Sequence, residues 1–592
     1  MTPSAEGCAV PGGRRPPAPG PALERLLTPF RRVLPRPSLL LPGRLGPRLT
    51  GVPVRLVPEP ASRPAPDREP DRRRRSWLLA SSAAVGWAIC GLGLFALYLH
   101  MSRTVSVNSD GASNALQAWA MLHGNPLLRG WELSDVSFYT TELPQYLLIE
   151  LARGLTPDVV HVGAAMTYTF VLLLAARLAK GGARGRQGLV RAALAAGIIL
   201  APQAAEVPVL MLSPDHVGST VPVLLMWLLI DRAGRRWYVP AASGLLLALA
   251  VVADQIILIT GVAPVVLVAA ARAYQKLVRE RARLRSAWFE LSLGAAGLAG
   301  AAVGERALVL IQHSGGFLVW PVSERLVSLD NFPHNLLQTY QGILLLFGAD
   351  FMGQPAGLAA GLALVHLVGL GLAVWAVCAA VRRYVGSELV IQLMVVATLA
   401  SLASFALGPN AGQPLSSREF AAVLPFAAAL AGRTLAPRLS RARMLPALGV
   451  VLGIYAIGAV SLAAQPPAAA QNQALAGWLA AHRLTYGLAG YWIANSVTLD
   501  SGGAVHLCPL KGNEQTARPE WWEIQLSWYN PELHDANFVV LPSNGIGPPP
   551  GPGPLPPTVP GVLGAFGQPA RVYYLAQYTV LVWNKNLLTV MQ

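Results

Sequence analysis

The chain has 592 residues, of which 53% are hydrophobic and only 13% charged, with a mean hydropathy of +0.45. A soluble globular chain carries roughly twice that charged fraction, so composition excludes an ordinary soluble domain and indicates a membrane protein. The net charge of +16 suggests a nucleic-acid partner until it is mapped. Residues 1–75 hold 15 Lys/Arg against 6 Asp/Glu, and 20 further Lys/Arg lie in five loops between apolar segments. That is the positive-inside pattern, without the aromatic-plus-basic stripe of a nucleic-acid binder.

Residues 1–75 are rich in Pro, Arg, Gly and Ala and show no sustained apolar period, so they read as a disordered cytoplasmic tail. The first apolar run starts at Trp77 and reaches His100. Runs of roughly 20 apolar residues cross a bilayer, and later ones fall near residues 159–178, 190–210, 216–231, 238–253, 256–271, 288–311, 357–380, 388–407, 419–435 and 444–463. The expected fold is therefore a polytopic α-helical membrane protein of about 11 transmembrane helices over 76–463, amino terminus inside and carboxyl terminus outside. Basic loops at Arg177–Arg191, Arg232–Arg236, Arg272–Arg285, Arg382–Arg383 and Arg433–Arg443 support that alternation.

Two outer segments, 101–158 and 312–356, are too long to be plain connections. In the first, Ala112, Ala115, Leu116 and Trp119 recur at helical spacing, which predicts a helix along the membrane surface; a second is expected from Leu143 to Leu155. After Ala463 the pattern turns soluble, giving a small extracytoplasmic α/β domain over 464–592. It has a helix from Gln473 to Arg483 and strands over Thr485–Asn495, Ala504–Cys508, Asn537–Pro542 and Tyr578–Trp583. The four cysteines, Cys8, Cys90, Cys378 and Cys508, have neither metal-ligand spacing nor a disulfide framework.

Carboxylates are costly inside a bilayer, and the acids nearest the outer surface are Asp110, Asp135, Glu142, Glu206, Asp215 and Asp254. Asp110, between the first span and the surface helix, is best placed to act as a general base. The alternative is that Asp110, with Ser109 and Ser113, only caps that helix, since Ser-Asp-Gly-Ala-Ser-Asn is good capping material.

A first span, an Asp a few residues beyond it, a surface helix ending in His123-Gly-Asn-Pro126 and alternating short hairpins together resemble the GT-C class of membrane glycosyltransferases over roughly residues 77–435. That class, which includes the protein mannosyltransferases, aminoarabinose transferases and arabinofuranosyltransferases, uses polyprenyl-phosphate-linked sugars. The resemblance implies such a sugar as donor and a glycan, lipid or protein as acceptor. By it, Asp110 corresponds to the first-loop catalytic aspartate; its neighbours here are Ser109 and Gly111, with no second acid beside it. A donor phosphate needs a cation on the outer face, where cations are scarce. Arg418 is the best candidate, with Arg325 and His313 weaker ones; a structural Arg418, snorkelling or paired with Glu419, is the rival reading. Glu206, Asp215 and His216 are candidates for a divalent metal ion or for positioning the acceptor. Tyr491, Trp492, Trp521 and Trp522 are candidates for stacking on sugar rings, against core packing as the plainer reading. The long loop 312–356, with Gly315–Pro321 in it, is a candidate lid over the donor. Outside this class, a multispan transporter and a noncatalytic cell-envelope assembly protein remain open.

Overall fold

The structure, a computed structural model, describes residues 69–212, 216–321, 325–441, 444–470, 472–543 and 555–591. The tail expected over 1–75 thus lies outside the described residues except for its last seven, which are helical. The first helix, α1 (Glu69–Ser102), is followed by α2 (Ser109–Leu122), β1 (Trp131–Leu133) and α3 (Leu143–Arg153). Next come α4 (Asp158–Lys180), α5 (Gly185–Ile199), the short α6 (Val207–Leu210), α7 (Thr220–Ala233), α8 (Tyr238–Ala253), α9 (Ala263–Tyr274) and α10 (Trp288–His313). After β2 (Leu318–Val319) the chain continues through α11 (Phe332–Leu346), α12 (Leu358–Arg382), α13 (Leu389–Leu407), α14 (Val423–Leu439) and α15 (Leu445–Ala463).

Seven helices among the described residues are long and apolar enough to cross a membrane, or eight if the 3-10 turn Pro414–Phe420 and α14, bent by 61°, form one broken span. The chain is a polytopic helical membrane protein. The seven are fewer than the eleven expected runs, and the physical reason is visible in the shorter ones. The run 190–210 breaks after Ile199 at Ala201-Pro202, because the residue before a proline disfavours helix. The exposed carbonyls at that end are taken up by two buried phenols, Tyr168 Oη donating to Ile199 O at 2.8 Å and Tyr98 Oη to Leu200 O at 2.9 Å. Arg433, expected in a loop, lies buried inside α14, where it pairs with Asp231 at 2.6 Å and Glu388 at 2.7 Å.

Close helix packing is set by glycine. A Cβ on Gly300 of α10 would lie 2.5 Å from the Gly244 carbonyl oxygen of α8, and one on Gly304 would lie 2.9 Å from that of Ala248. The two backbones touch there as small residues allow in membrane helices.

The C-terminal region contains α16 (Gln473–Ala481), β3 (Tyr486–Gly490), α17 (Tyr491–Asp500), β4 (His506–Gly512), β5 (Ala517–Pro519), β6 (Ile524–Gln525), β7 (Phe538–Pro542), α18 (Val559–Phe566), β8 (Arg571–Tyr574) and β9 (Tyr578–Val582). Six strands form one sheet in the order β5-β4-β3-β7-β9-β8, with β3 parallel to both β4 and β7. The single strand expected over Thr485–Asn495 is instead β3 followed by a helix. Parallel neighbours need a crossover, and α17 supplies it between β3 and β4.

A second, three-stranded sheet joins distant parts of the chain. Its middle strand β1 runs parallel to β2 and antiparallel to β6, with Glu132 opposite Leu318 and Ile524. The start of the loop expected to be a lid is therefore part of a ladder, with Phe317 buried and its N–H bonded to Leu127 O at 3.0 Å.

Candidate functional site

Helix α2 opens on Asn108, whose side-chain oxygen accepts from Gly111 N at 2.9 Å. Capping thus falls to Asn108, while the Asp110 side chain, one residue into the helix, is directed elsewhere. Tyr491 Oη donates to Asp110 Oδ1 at 2.6 Å, and Arg418 Nη1 donates to Asp110 Oδ2 at 3.3 Å. Asp110 is 8% exposed. Three elements far apart in sequence meet at this carboxylate: α2, the turn Pro414–Phe420 and the junction of β3 with α17. That junction, at the carboxyl end of a parallel strand, is where open α/β sheets present functional groups.

Tyr491 also touches a second acid, its Oη lying 3.0 Å from Glu523 Oε2. Glu523 is 5% exposed and immediately precedes β6, so the β1–β6 register fixes its place. Its φ of +53° is in the left-handed region, unusual for a non-glycine residue. Its carbonyl accepts from Ser113 Oγ at 3.4 Å and Asn495 Nδ2 at 3.3 Å, while Ser109 Oγ donates to Tyr491 O at 2.5 Å. Helix α2 therefore grips both C-terminal segments through Ser109 and Ser113 as well as through Asp110. Burial, reinforced by the Asp110 charge, holds the Glu523 carboxyl well above the usual carboxylate range. Burial beside two acids likewise keeps the Tyr491 phenol protonated.

A second polar cluster involves His216. Its Nδ1 lies 2.8 Å from Asp254 Oδ2, and Asp254 Oδ1 accepts from Ile256 N at 3.0 Å. Burial alone would lower the His216 pKa, but the Asp254 carboxylate overrides it and raises it to about 9. The pair is therefore an imidazolium with a carboxylate. Ser137 N and Phe138 N bond Ala253 O at 2.9 and 3.0 Å, which brings the segment after β1 against this cluster.

Of the other residues singled out by sequence, Asp215 lies outside the described residues. Glu206 is buried, with Oε1 accepting from Gln203 N at 3.1 Å and facing Gly348 beside His366. Among the described residues no group of three or more His, Cys, Asp or Glu could hold a metal ion. The described residues thus do not assemble the donor set a divalent ion takes. Arg325 is exposed in the long loop. Tyr491, a candidate for stacking, is only 2% exposed, and its ring is sequestered in the protein. Trp492 packs edge-on against it at 5.1 Å. Trp521 is half-buried and lines a cleft of about 490 Å³ with Lys511, Arg518 and Phe566; Trp522 is also half-buried. Glu523 carried no sequence signal, since a lone Glu after two Trp has no spacing to report a partner 413 positions away.

No protein-family model matches the chain, and no curated protein sequence does. Among solved structures, it is similar to ArnT. ArnT from Cupriavidus metallidurans in the apo state shares 12% identity, with 86% of this chain and 99% of that chain covered and a TM-score of 0.39. The same protein bound to undecaprenyl phosphate shares 14% identity, with 84% and 98% covered and a TM-score of 0.42.

Proposed function

We propose that the chain is an integral-membrane glycosyltransferase that moves a sugar from a polyprenyl-phosphate donor to an acceptor hydroxyl on the outer face of the membrane. Asp110 is the general base. The observation that carries this reading is a nearly buried carboxylate held between a guanidinium and a phenol at the head of a short helix, in a chain with seven or more apolar helices. An ionised carboxylate fixed in this way is suited to accept a proton. In the reaction the acceptor oxygen attacks the anomeric carbon as its proton passes to Asp110. The bond from that carbon to the phosphate oxygen breaks, and the lipid phosphate leaves with the electron pair. One base and a direct displacement invert the anomeric centre. Arg418, with five donors in a planar fork, is the candidate cation for the donor phosphate, which departs from the face of the anomeric carbon opposite the attacking oxygen. Arg325 is a further candidate for the phosphate. No step is assigned to a metal ion.

The test is sugar transfer by the full chain in lipid nanodiscs. The donors are a panel of undecaprenyl-phosphate-linked pentoses and hexoses, the acceptor a cell-envelope extract, and the readout released undecaprenyl phosphate. Asp110→Asn should lower kcat by roughly 10²–10⁴-fold, the range for loss of a general base, with undecaprenyl phosphate binding retained. Arg418→Ala should weaken that binding. Undiminished transfer by a folded Asp110→Asn protein would sink the assignment, and solute uptake into vesicles without transfer would favour a transporter.

A further inference from the structure

The phenol of Tyr491 has one proton and two carboxyl groups within hydrogen-bond distance, Asp110 Oδ1 at 2.6 Å and Glu523 Oε2 at 3.0 Å. One O–H cannot be donated fully to both, and two buried anions against one phenol oxygen would repel. A second proton is needed, and the surroundings choose its place. Asp110 has the Arg418 guanidinium at its other oxygen, whereas among the described residues no cation pairs with Glu523. The shorter contact marks Asp110 as the acceptor of the phenol's proton.

We propose that Tyr491 and Glu523 are positioning residues for Asp110. A neutral Glu523 carboxyl donates to Tyr491 Oη, which donates to Asp110 Oδ1, so the C-terminal domain sets the aim and basicity of a carboxylate carried on α2. The proposal rests on the reading of Asp110 as the base. No bond is made or broken in this chain of hydrogen bonds, and its single function is to hold Asp110 ionised and oriented. Among the described groups around it are Arg418 from the turn Pro414–Phe420, Ser109 and Ser113 from α2, Ser134 after β1 and Asn495 from α17. Burial and the neighbouring Asp110 charge, which favour the protonated form of Glu523, agree with the geometry.

The placement is also mechanically coupled. Ser109 and Ser113 bind the backbones of Tyr491 and Glu523, so the two segments move with α2. The positive φ of Glu523 is a strained setting retained where it aims the carboxyl at the phenol.

Infrared difference spectroscopy of the full chain in nanodiscs tests the proton inventory without any substrate. Wild type minus Glu523→Gln at neutral pH should contain the carbonyl stretch of a protonated carboxyl, and Tyr491→Phe should shift that band as its hydrogen bond is lost. A difference spectrum holding only carboxylate bands overturns the proposal whatever the enzyme does. The second arm is the pH profile of transfer with the donor panel above. Tyr491→Phe removes a donor to the Asp110 anion and should move the acid limb of kcat up by about one pH unit, with the KM for donor little changed. Glu523→Gln, whose amide still donates to the phenol, should keep the wild-type limb. An unmoved limb in folded Tyr491→Phe, judged by retained undecaprenyl phosphate binding, also overturns it. If instead Asp110→Asn transfers normally while the protonated-carboxyl band is present, the base reading fails and the hydrogen-bond chain stands.

Discussion

Glu142 shows how burial acts on a single carboxyl. It is 1% exposed, and a Cβ on Gly218 would fall 1.3 Å from its Oε1. Burial, with the Asp254 charge adding to it, pushes its pKa up to about 8. The folded protein therefore holds a proton that the unfolded chain, titrating near 4.5, has released by neutral pH. Its contribution to stability is complete below about pH 4.5 and is lost as the pH rises to about 8, at a slope of about 1.4 kcal/mol per pH unit. Glu142→Gln should flatten this slope, so that melting temperatures of variant and wild type diverge in favour of the variant towards pH 8. Parallel curves across that range would refute the burial argument. Asp110 was legible in the sequence because it follows an apolar run and opens an amphipathic helix, although residue types alone could not separate capping from chemistry. Asn108 Oδ1 on Gly111 N shows only that Asn108 caps α2. Tyr491 was legible only as an aromatic, because the acids around its hydroxyl lie 32 and 381 positions away with no spacing to link them.

At the scale of elements, long apolar runs such as Leu358–Arg382 were readable from hydropathy, since a span needs about 20 apolar residues and little else. Shorter helices were not, because their ends are set by local breaks such as Ala201-Pro202 and by phenols reaching from other helices. The strands β1, β2 and β6, of three, two and two residues, fall below any period a sequence can display. The α8–α10 contact makes the element-level prediction. Gly300→Leu drives a side chain into the Gly244 carbonyl, and overpacking of this kind costs about 1–3 kcal/mol. The measurement is thermal unfolding in detergent. A melting temperature equal to that of wild type would mean that the two helices do not pack through their glycines.

For the whole molecule, the positive-inside pattern predicts basic loops on the inner side and the C-terminal region on the outer side. In a background with Cys8, Cys90, Cys378 and Cys508 replaced by serine, a membrane-impermeant maleimide should label Glu532→Cys in intact cells. It should label Arg281→Cys only after permeabilisation. The reverse pattern would invert the topology and move Asp110 away from an outer acceptor. The turn to a soluble pattern after residue 463 was visible as a shift in composition. What composition could not convey is that the two parts share one polar centre.

The three-stranded sheet has a consequence for biogenesis. Strand β1 leaves the ribosome early, yet its partner β6 is made roughly 390 residues later, and the Asp110–Tyr491 contact spans 381 positions. The helices can insert one after another during synthesis, while the polar centre closes only when the last quarter of the chain arrives. The contacts of Asp110 with Tyr491 are therefore absent from a nascent chain until residue 491 has been made.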